Sequence, residues 1–533
     1  MSGLAPRRWL RDARRAFARL PTIGMARVPD APVQPVRDPW PGDAARGARL
    51  VKGELEVAGR IRPLRPGLWA DASGPATLRA AAHGFAWLRD LRALGTDAAR
   101  LRARTLVGDW IASSQHDPLA RQPDVAAARI TAWLGHYDFF AASADDQFRQ
   151  NLMGRLLADA RVLAAALPAE ECDGRALTAL KGLFAAVVAM PEHTSFLVRA
   201  LRFLPQEIGR QMLDDGGHVE RSPAAHLAAL QDLVEIRMLL RAAQAQPPIL
   251  LAGAIDRMSI ALRGLRHGDG ALALFNGSKE ESASLIELVL TQAGRGGRAP
   301  ASLPEAGFQR LHAGRSTVIV DCGPPAEAGV DRQAHAGTLS FEFSVGRERL
   351  IVNCGAAPAA GEEWRDACRA TAAHSTLVIA DTSSSELLPT GLGRRPTEVE
   401  VQRQGASGAH WLEMSHDGWA RPFGSVHRRR LYLSETGEDL RGEDLVEAAT
   451  PQPYAVRFHL HPSVKAIMQQ DGEGVLLRLP SGGGWRLRTE GARPVLEESV
   501  YLGGPEPRRT EQVVLTGAPD SPQHVKWAIS KVG

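Results

Sequence analysis

Near residue 300 the spacing of apolar residues changes from one helical turn to every second residue, so the chain must build two different kinds of layer. From about residue 75 to 295, segments such as LRAAAHGFAWLRDLRAL, VAAARITAWLGHYDFF and FRQNLMGRLLADARVLAAAL carry Ala, Leu and Arg at helical spacing. Short Asp, Gly and Pro loops divide them, which favours antiparallel helix pairs. No strict repeat is visible, so a toroid or irregular array is expected rather than a solenoid. After GRGGRAPASLPEAG (294–307) come short alternating runs, among them STVIVDCG, RLIVNCG, RRRLYLSE and AVRFHLHP, each ended by turn residues. That pattern predicts an antiparallel β-sandwich. The expected organisation is α+β and multidomain: an N-terminal extension over 1–70, a helical domain over 71–300 and a sandwich over 301–533. A long polymer suits a cleft between two such domains.

Composition narrows the partners. With 44% hydrophobic and 23% charged residues the chain is an ordinary globular protein, which sets aside disordered and collagen-like readings. An excess of 64 basic over 60 acidic residues is too small to imply nucleic-acid binding. The preference for Arg over Lys is compatible with an acidic ligand, because a guanidinium grips carboxylates and sulfates in two places. Cys172, Cys322, Cys354 and Cys368 make neither a disulfide framework nor a CxxC site; for Cys354 a small buried thiol is expected, with zinc ligation as the alternative. No apolar run is long enough to cross a membrane. The N-terminus has arginines where a secretory signal needs an apolar core. As a helix it sets Trp9, Leu10, Phe17 and Leu20 against those arginines; a solvated leading helix is expected, with a membrane-surface role as the alternative.

Polar clusters fall at element ends. QAHAGTLSFEFSVGRERLIVNCG (333–355) predicts a strand beginning at His335 and a return strand ending at Asn353, and RATAAHSTLVI adds His374. Two imidazoles and an amide oxygen suit a borderline divalent cation such as zinc; hydrogen-bonded polars at strand ends are the other reading. In the helical half, DDGG predicts a loop after a helix ending near Leu213, and Ser222-Pro223 predicts a new helix start. This gathers His218, Glu220, Arg221 and His226 at one loop. Glu192 and His193 precede another helix, where the imidazole is placed to act as a base. RHGDGALALFNG (266–277) is expected to form a loop around Asp269 and Asn276.

Taken in order, WLRDLRALG, ARITAWLGHYDFF, DGGHVERSP, RHGDGALALFNG, QAHAGTLSFEFSVGRERLIVNCG, TAAHSTLVI, SHDGWARPFGSVHRRRLYLS and VRFHLHP resemble the bacterial heparinase II/III family of polysaccharide lyases across nearly the whole chain. The resemblance implies an incomplete (α/α) toroid followed by a β-sandwich, and β-elimination next to a uronic acid in an acidic polysaccharide. That reaction needs the carboxylate neutralised, a base for the C5 proton and an acid for the leaving oxygen. By resemblance the helix-start positions are Glu192 and His193, the metal ligands are His335, Asn353 and His374, and zinc is the implied, structural cofactor. In the HxHxD pattern of the family, Gln333 stands for the first His and Gly337 for the Asp; Ala225 stands where a Tyr is expected. The lyase reading gives the C5 proton to His193 or His226 and the uronate to Glu192, Arg221 and Gln333. It adds Glu220, His416 and His427 to the substrate contacts. A degenerate carbohydrate-binding member is the alternative, and a glycoside hydrolase using Asp214, Asp215 and Glu220 is a third. The resemblance implies a periplasmic or cell-envelope location; the absence of an export signal implies the cytoplasm.

Overall fold

A computed structural model describes residues 28–532 apart from 58, 66, 170–172, 295, 357–361 and 471. The leading amphipathic segment and Cys172 lie outside the described residues. The chain divides into two compact units, one of residues 1–211 with 228–255, the other of 212–227 with 256–533.

The first unit is helical. Some of its helices start where a side chain caps exposed N–H groups: Thr96 accepts from Ala99, and Asp145 from Phe148. Pro123 opens the helix Pro123–Gly135 at a position that has no hydrogen bond to lose. The alanine bias has a packing cause. A side chain on Gly182 in Arg175–Ala189 would lie 2.6 Å from Ala127 of Pro123–Gly135, so these two helices meet almost backbone to backbone. Arg129 of Pro123–Gly135, fully buried, is neutralised by two bonds to Asp159 (2.9 and 2.7 Å), and its guanidinium lies 4.2 Å from the Trp110 ring. Lys181 is likewise held by Asp232 at 2.6 Å and Glu235 at 3.2 Å. The described part of residues 1–70 packs into this unit, with Trp40 Nε1 donating to Glu235 (2.6 Å) and Asp38 accepting from Arg89 (3.0 Å).

The second unit is built on two antiparallel sheets of eight and nine strands. Their inner faces share one core in which Phe341 stacks on Trp527 at 5.5 Å and Phe343 meets Trp485 edge-on at 5.3 Å. Strict alternation governs Ser425–Leu433: Arg428, Arg430 and Tyr432 face outward, while His427, Arg429, Leu431 and Leu433 face the core. Asp444 compensates the buried charge of Arg429 at 2.7 and 3.1 Å; it also accepts from His427 (2.7 Å) and from Trp527 Nε1 (2.9 Å). Arg429 donates further to the carbonyls of Leu339 (2.8 Å) and Ser375 (3.0 Å), which ties its sheet to the segments that lead into two strands of the other.

The strand predicted to begin at His335 begins at Phe341 and ends at Val345. Leu339 has φ +62, and the Ser340 N–H closes a turn onto Gly337 O at 2.9 Å, so 335–340 cannot continue the ladder. The polar side chains Ser340, Glu342 and Ser344 are buried like their apolar neighbours.

Candidate functional site

The segments DGGHVERSP, RHGDGALALFNG, QAHAG and TAAHS come together in the second unit around Asn276. This residue holds φ +46, a left-handed conformation that Asn tolerates well. Its Nδ2 donates to Arg221 O (2.9 Å), and its Oδ1 accepts from the His335 N–H (3.0 Å), so one side chain joins two predicted motifs. Ser278 accepts from the Ala224 N–H (2.9 Å) at the start of the helix Pro223–Ala242, which begins where Ser222-Pro223 predicts. Gln333 is exposed beside this cluster: a side chain on Gly277 would come within 3.0 Å of its Oε1.

His335 and His374 do meet. Their rings cross at 78°, with His335 Nδ1 3.1 Å from His374 Nε2. Proton positions follow from the partners. Ala370 O can only accept, so His374 Nδ1, 2.8 Å away, carries a proton. Burial lowers the His374 pKa to about 4 and holds His335 well below the usual imidazole value, the nearness of His374 disfavouring a charge there further. In the neutral His374 ring Nε2 accepts, so His335 Nδ1 is the donor and His335 Nε2 retains a free lone pair. Asn353 is tied to the residue that follows His374. Its Oδ1 accepts from the Ser375 N–H (2.9 Å), and its Nδ2 is buried with no partner among the described residues.

These residues fit a zinc ion poorly. A tetrahedral site needs four ligands, and among the described residues no three His, Cys, Asp or Glu side chains are grouped as ligands. Where a carboxylate offers a second oxygen, Asn353 offers an amino group that can only donate.

The residues expected to touch substrate have other roles. Arg221, 7% exposed and at φ +52, donates to the carbonyls of Ala306 (2.7 Å), Gly307 (3.2 Å) and Gly323 (3.2 Å) and pairs closely with Asp321. It is a structural hub, with no donor left to hold a uronate. His416 and His427 sit opposite each other on paired strands with their rings 5.4 Å apart, both inside the sandwich. Their shared parity turns both rings toward the core. Glu220 is 8% exposed, and its N–H donates to His218 Nδ1 at 3.3 Å.

The expected bases fare differently. His226 is 1% exposed; its Nε2 donates to Met258 O (2.8 Å), and burial lowers its pKa to about 4. Its remaining nitrogen, Nδ1, is buried without a partner among the described residues. Ala225, its neighbour, brings no acid. His193, in the helical unit, precedes the helix Thr194–Gln211 as predicted and stacks on Phe196 at 5.5 Å, with Glu192 exposed next to it.

A further chain was not foreseen from the sequence. Ser344 Oγ lies 2.8 Å from His267 Nδ1, and His267 Nε2 lies 2.9 Å from Glu342, in the order of a nucleophile, base and acid. Ser344 is 1% exposed and Glu342 is fully buried, with its other oxygen taken by the Asn353 N–H (2.9 Å). The trio is therefore a brace beneath Asn353. Its parts lie far apart in the sequence, and only the polar residues at alternate positions of a buried strand signal it.

Comparison with known proteins agrees with this architecture. Residues 120–294 match the heparinase II/III N-terminus and residues 295–528 the heparinase II/III-like C-terminal domain. FtsZ-localized protein C of Caulobacter vibrioides (strain NA1000 / CB15N) is 33% identical over 522 residues, or 93% of this chain and 89% of that protein. Heparinase III superposes with a TM-score of 0.73 at 13% identity, covering 98% of this chain and 89% of that one. Heparan sulfate lyase HepC from Pedobacter heparinus gives 0.59 at 15% identity, covering 98% and 87%. At such identities the likeness is one of fold, a helical N-terminal toroid and a C-terminal β-sandwich, as the change of period predicts. Matched by family over both halves and by a relative over nearly its full length, the chain belongs to the heparinase II/III-like family.

Proposed function

We propose that this protein keeps the lyase fold as a carbohydrate-binding scaffold, does not itself cleave polysaccharide, and works in company with FtsZ. The observation that carries the reading is His226: its ring is buried and its Nε2 is spent on Met258 O, beside an alanine where the family resemblance implies a tyrosine. Gln333, at the other proton-transfer position, cannot exchange a proton near neutral pH. The relative named for its FtsZ localisation supports the second half of the reading. The protein is then to be found where FtsZ is, and fractionation decides between envelope and cytoplasm.

Two measurements test it. Incubation with heparan sulfate, alginate and bacterial exopolysaccharides should give no rise in absorbance near 232 nm, where an unsaturated uronate absorbs. A fluorescent fusion should follow FtsZ in the native host. A 232 nm signal abolished by His193→Ala or His226→Ala would restore the lyase reading, and new reducing ends without that signal would favour a hydrolase.

The histidine pair is proposed to work without metal. Protein purified without added zinc should retain less than about a tenth of an equivalent by mass spectrometry of the metal, since two nitrogens make a weak zinc site. Asn353→Asp, which restores a second oxygen, should raise retention. Stoichiometric zinc in the unaltered protein would overturn the proposal.

A further inference from the structure

The outer face of the eight-stranded sheet carries a groove of about 930 Å³, within the range of small-ligand sites. Strand register explains its floor. Gln404, Trp411, Tyr432, Arg441, Ala528 and Arg488 stand side by side across Val399–Ala406, Ala409–Trp419, Ser425–Leu433, Asp439–Ala448, His524–Val532 and Gly484–Glu490. One pleat along runs a second row: Gln402, Glu413, Arg430, Glu443, Lys526 and Glu490. Trp411 is 41% exposed, its ring 4.9 Å from that of Tyr432, and the Arg441 guanidinium lies 5.7 Å from the Tyr432 ring.

From this geometry we infer that the groove binds a neutral oligosaccharide. Its cations, Arg430, Arg441, Arg488 and Lys526, are matched one for one by Glu413, Asp439, Glu443 and Glu490. Several already neutralise one another: Arg430 reaches Glu413 at 3.1 Å and Glu443 at 3.7 Å, and Arg441 reaches Asp439 at 2.6 Å. A uronate polymer would meet as many repelling as attracting charges here, whereas a polyhydroxylated ligand uses donors and acceptors alike. Gln402 and Gln404 at one end, and Arg488, Lys526 and Glu490 at the other, make no side-chain hydrogen bond or ion pair among the described residues. Between them the Trp411–Tyr432 step offers ring faces for the C–H face of a sugar.

Other occupants suit the face less well. An extended peptide needs unpaired backbone groups, and the strands that form the floor, apart from the edge strand Val399–Ala406, are paired on both sides. A second copy needs an apolar centre, and here Trp411 stands among charges. The inference rests on the carbohydrate-binding part of the reading above and gives it a place and a ligand class; neither FtsZ nor the buried histidines enter it, so its failure leaves the tests of cleavage and FtsZ localisation standing.

The test is titration of the full chain by calorimetry with neutral hexasaccharides (chitohexaose, cellohexaose and maltohexaose) and with a heparan sulfate hexasaccharide. At least one neutral ligand should bind, with affinity reduced tenfold or more by Trp411→Ala and by Tyr432→Ala, while the unfolding midpoint stays within a degree or two. The heparan ligand should not be weakened by either substitution. Binding of none of the neutral ligands at millimolar concentration, or neutral binding that ignores Trp411, would overturn the inference. So would concentration-dependent dimerisation lost with Trp411→Ala.

Discussion

Arg221→Ala should lower the stability of the sandwich unit by roughly 3–5 kcal/mol, the cost of leaving one partner of a buried ion pair uncompensated. The side chains of Arg221 and Asp321 are 6% and 5% exposed, so solvent does little to soften the loss. Carbonyls of Ala306, Gly307 and Gly323 would lose their donor at the same time. In thermal unfolding this corresponds to a fall in the apparent midpoint of about 5–8 °C for a unit of this size. Arg221→Lys should be nearly as damaging, because an ammonium cannot reproduce the planar fork. A substrate-holding Arg221 would behave otherwise: the variant would fold with an unchanged midpoint and lose only ligand affinity.

Acid should destabilise the same unit. His218 and His459 have pKa values lowered to about 3, and His226 and His374 to about 4, in each case first by burial. The unfolded chain takes up these protons near pH 6.5, and the folded unit does not. Between those values the unfolded state binds more protons, so stability is full above about pH 6.5 and falls as the pH drops toward 4. At pH 5 each such histidine costs up to about 2 kcal/mol relative to pH 8, so the set approaches the whole stability of a typical domain. Asp444 does not oppose this trend. Its pKa is depressed by Arg429 and His427 against the opposing effect of burial, so its contribution disappears only at pH values below the ordinary carboxylate range. Urea midpoints at pH 8, 7, 6 and 5 should fall steeply over the last two steps, and His459→Gln should flatten the slope. A flat profile would mean that water reaches these rings.

The change of period near residue 300, the helix start at Pro223 and the turn before Thr194 were all legible because each follows from local chemistry: apolar spacing, a proline, a capping loop. The meeting of His335 with His374 was also legible from the order of motifs. What escaped was pairing over distance. Arg221 finds Asp321 a hundred residues on, across a backbone kink at φ +52 that no side-chain pattern announces. His416 and His427 were expected among the substrate contacts, yet His427 shares parity with Leu431 and Leu433, and that alternation already turns it inward. The acid that tolerates it there, Asp444, comes from the next strand. Ser344, His267 and Glu342 stayed hidden for the same reason.

Gly337 and the His374 ring compete for one volume. A side chain built on Gly337 would meet that ring at 2.7 Å, at the position where the family resemblance implies an aspartate. Introducing the carboxylate alone therefore produces a collision rather than a completed motif. Gly337→Asp should be tolerated only together with a smaller residue at 374, so the missing carboxylate and the present ring exclude each other.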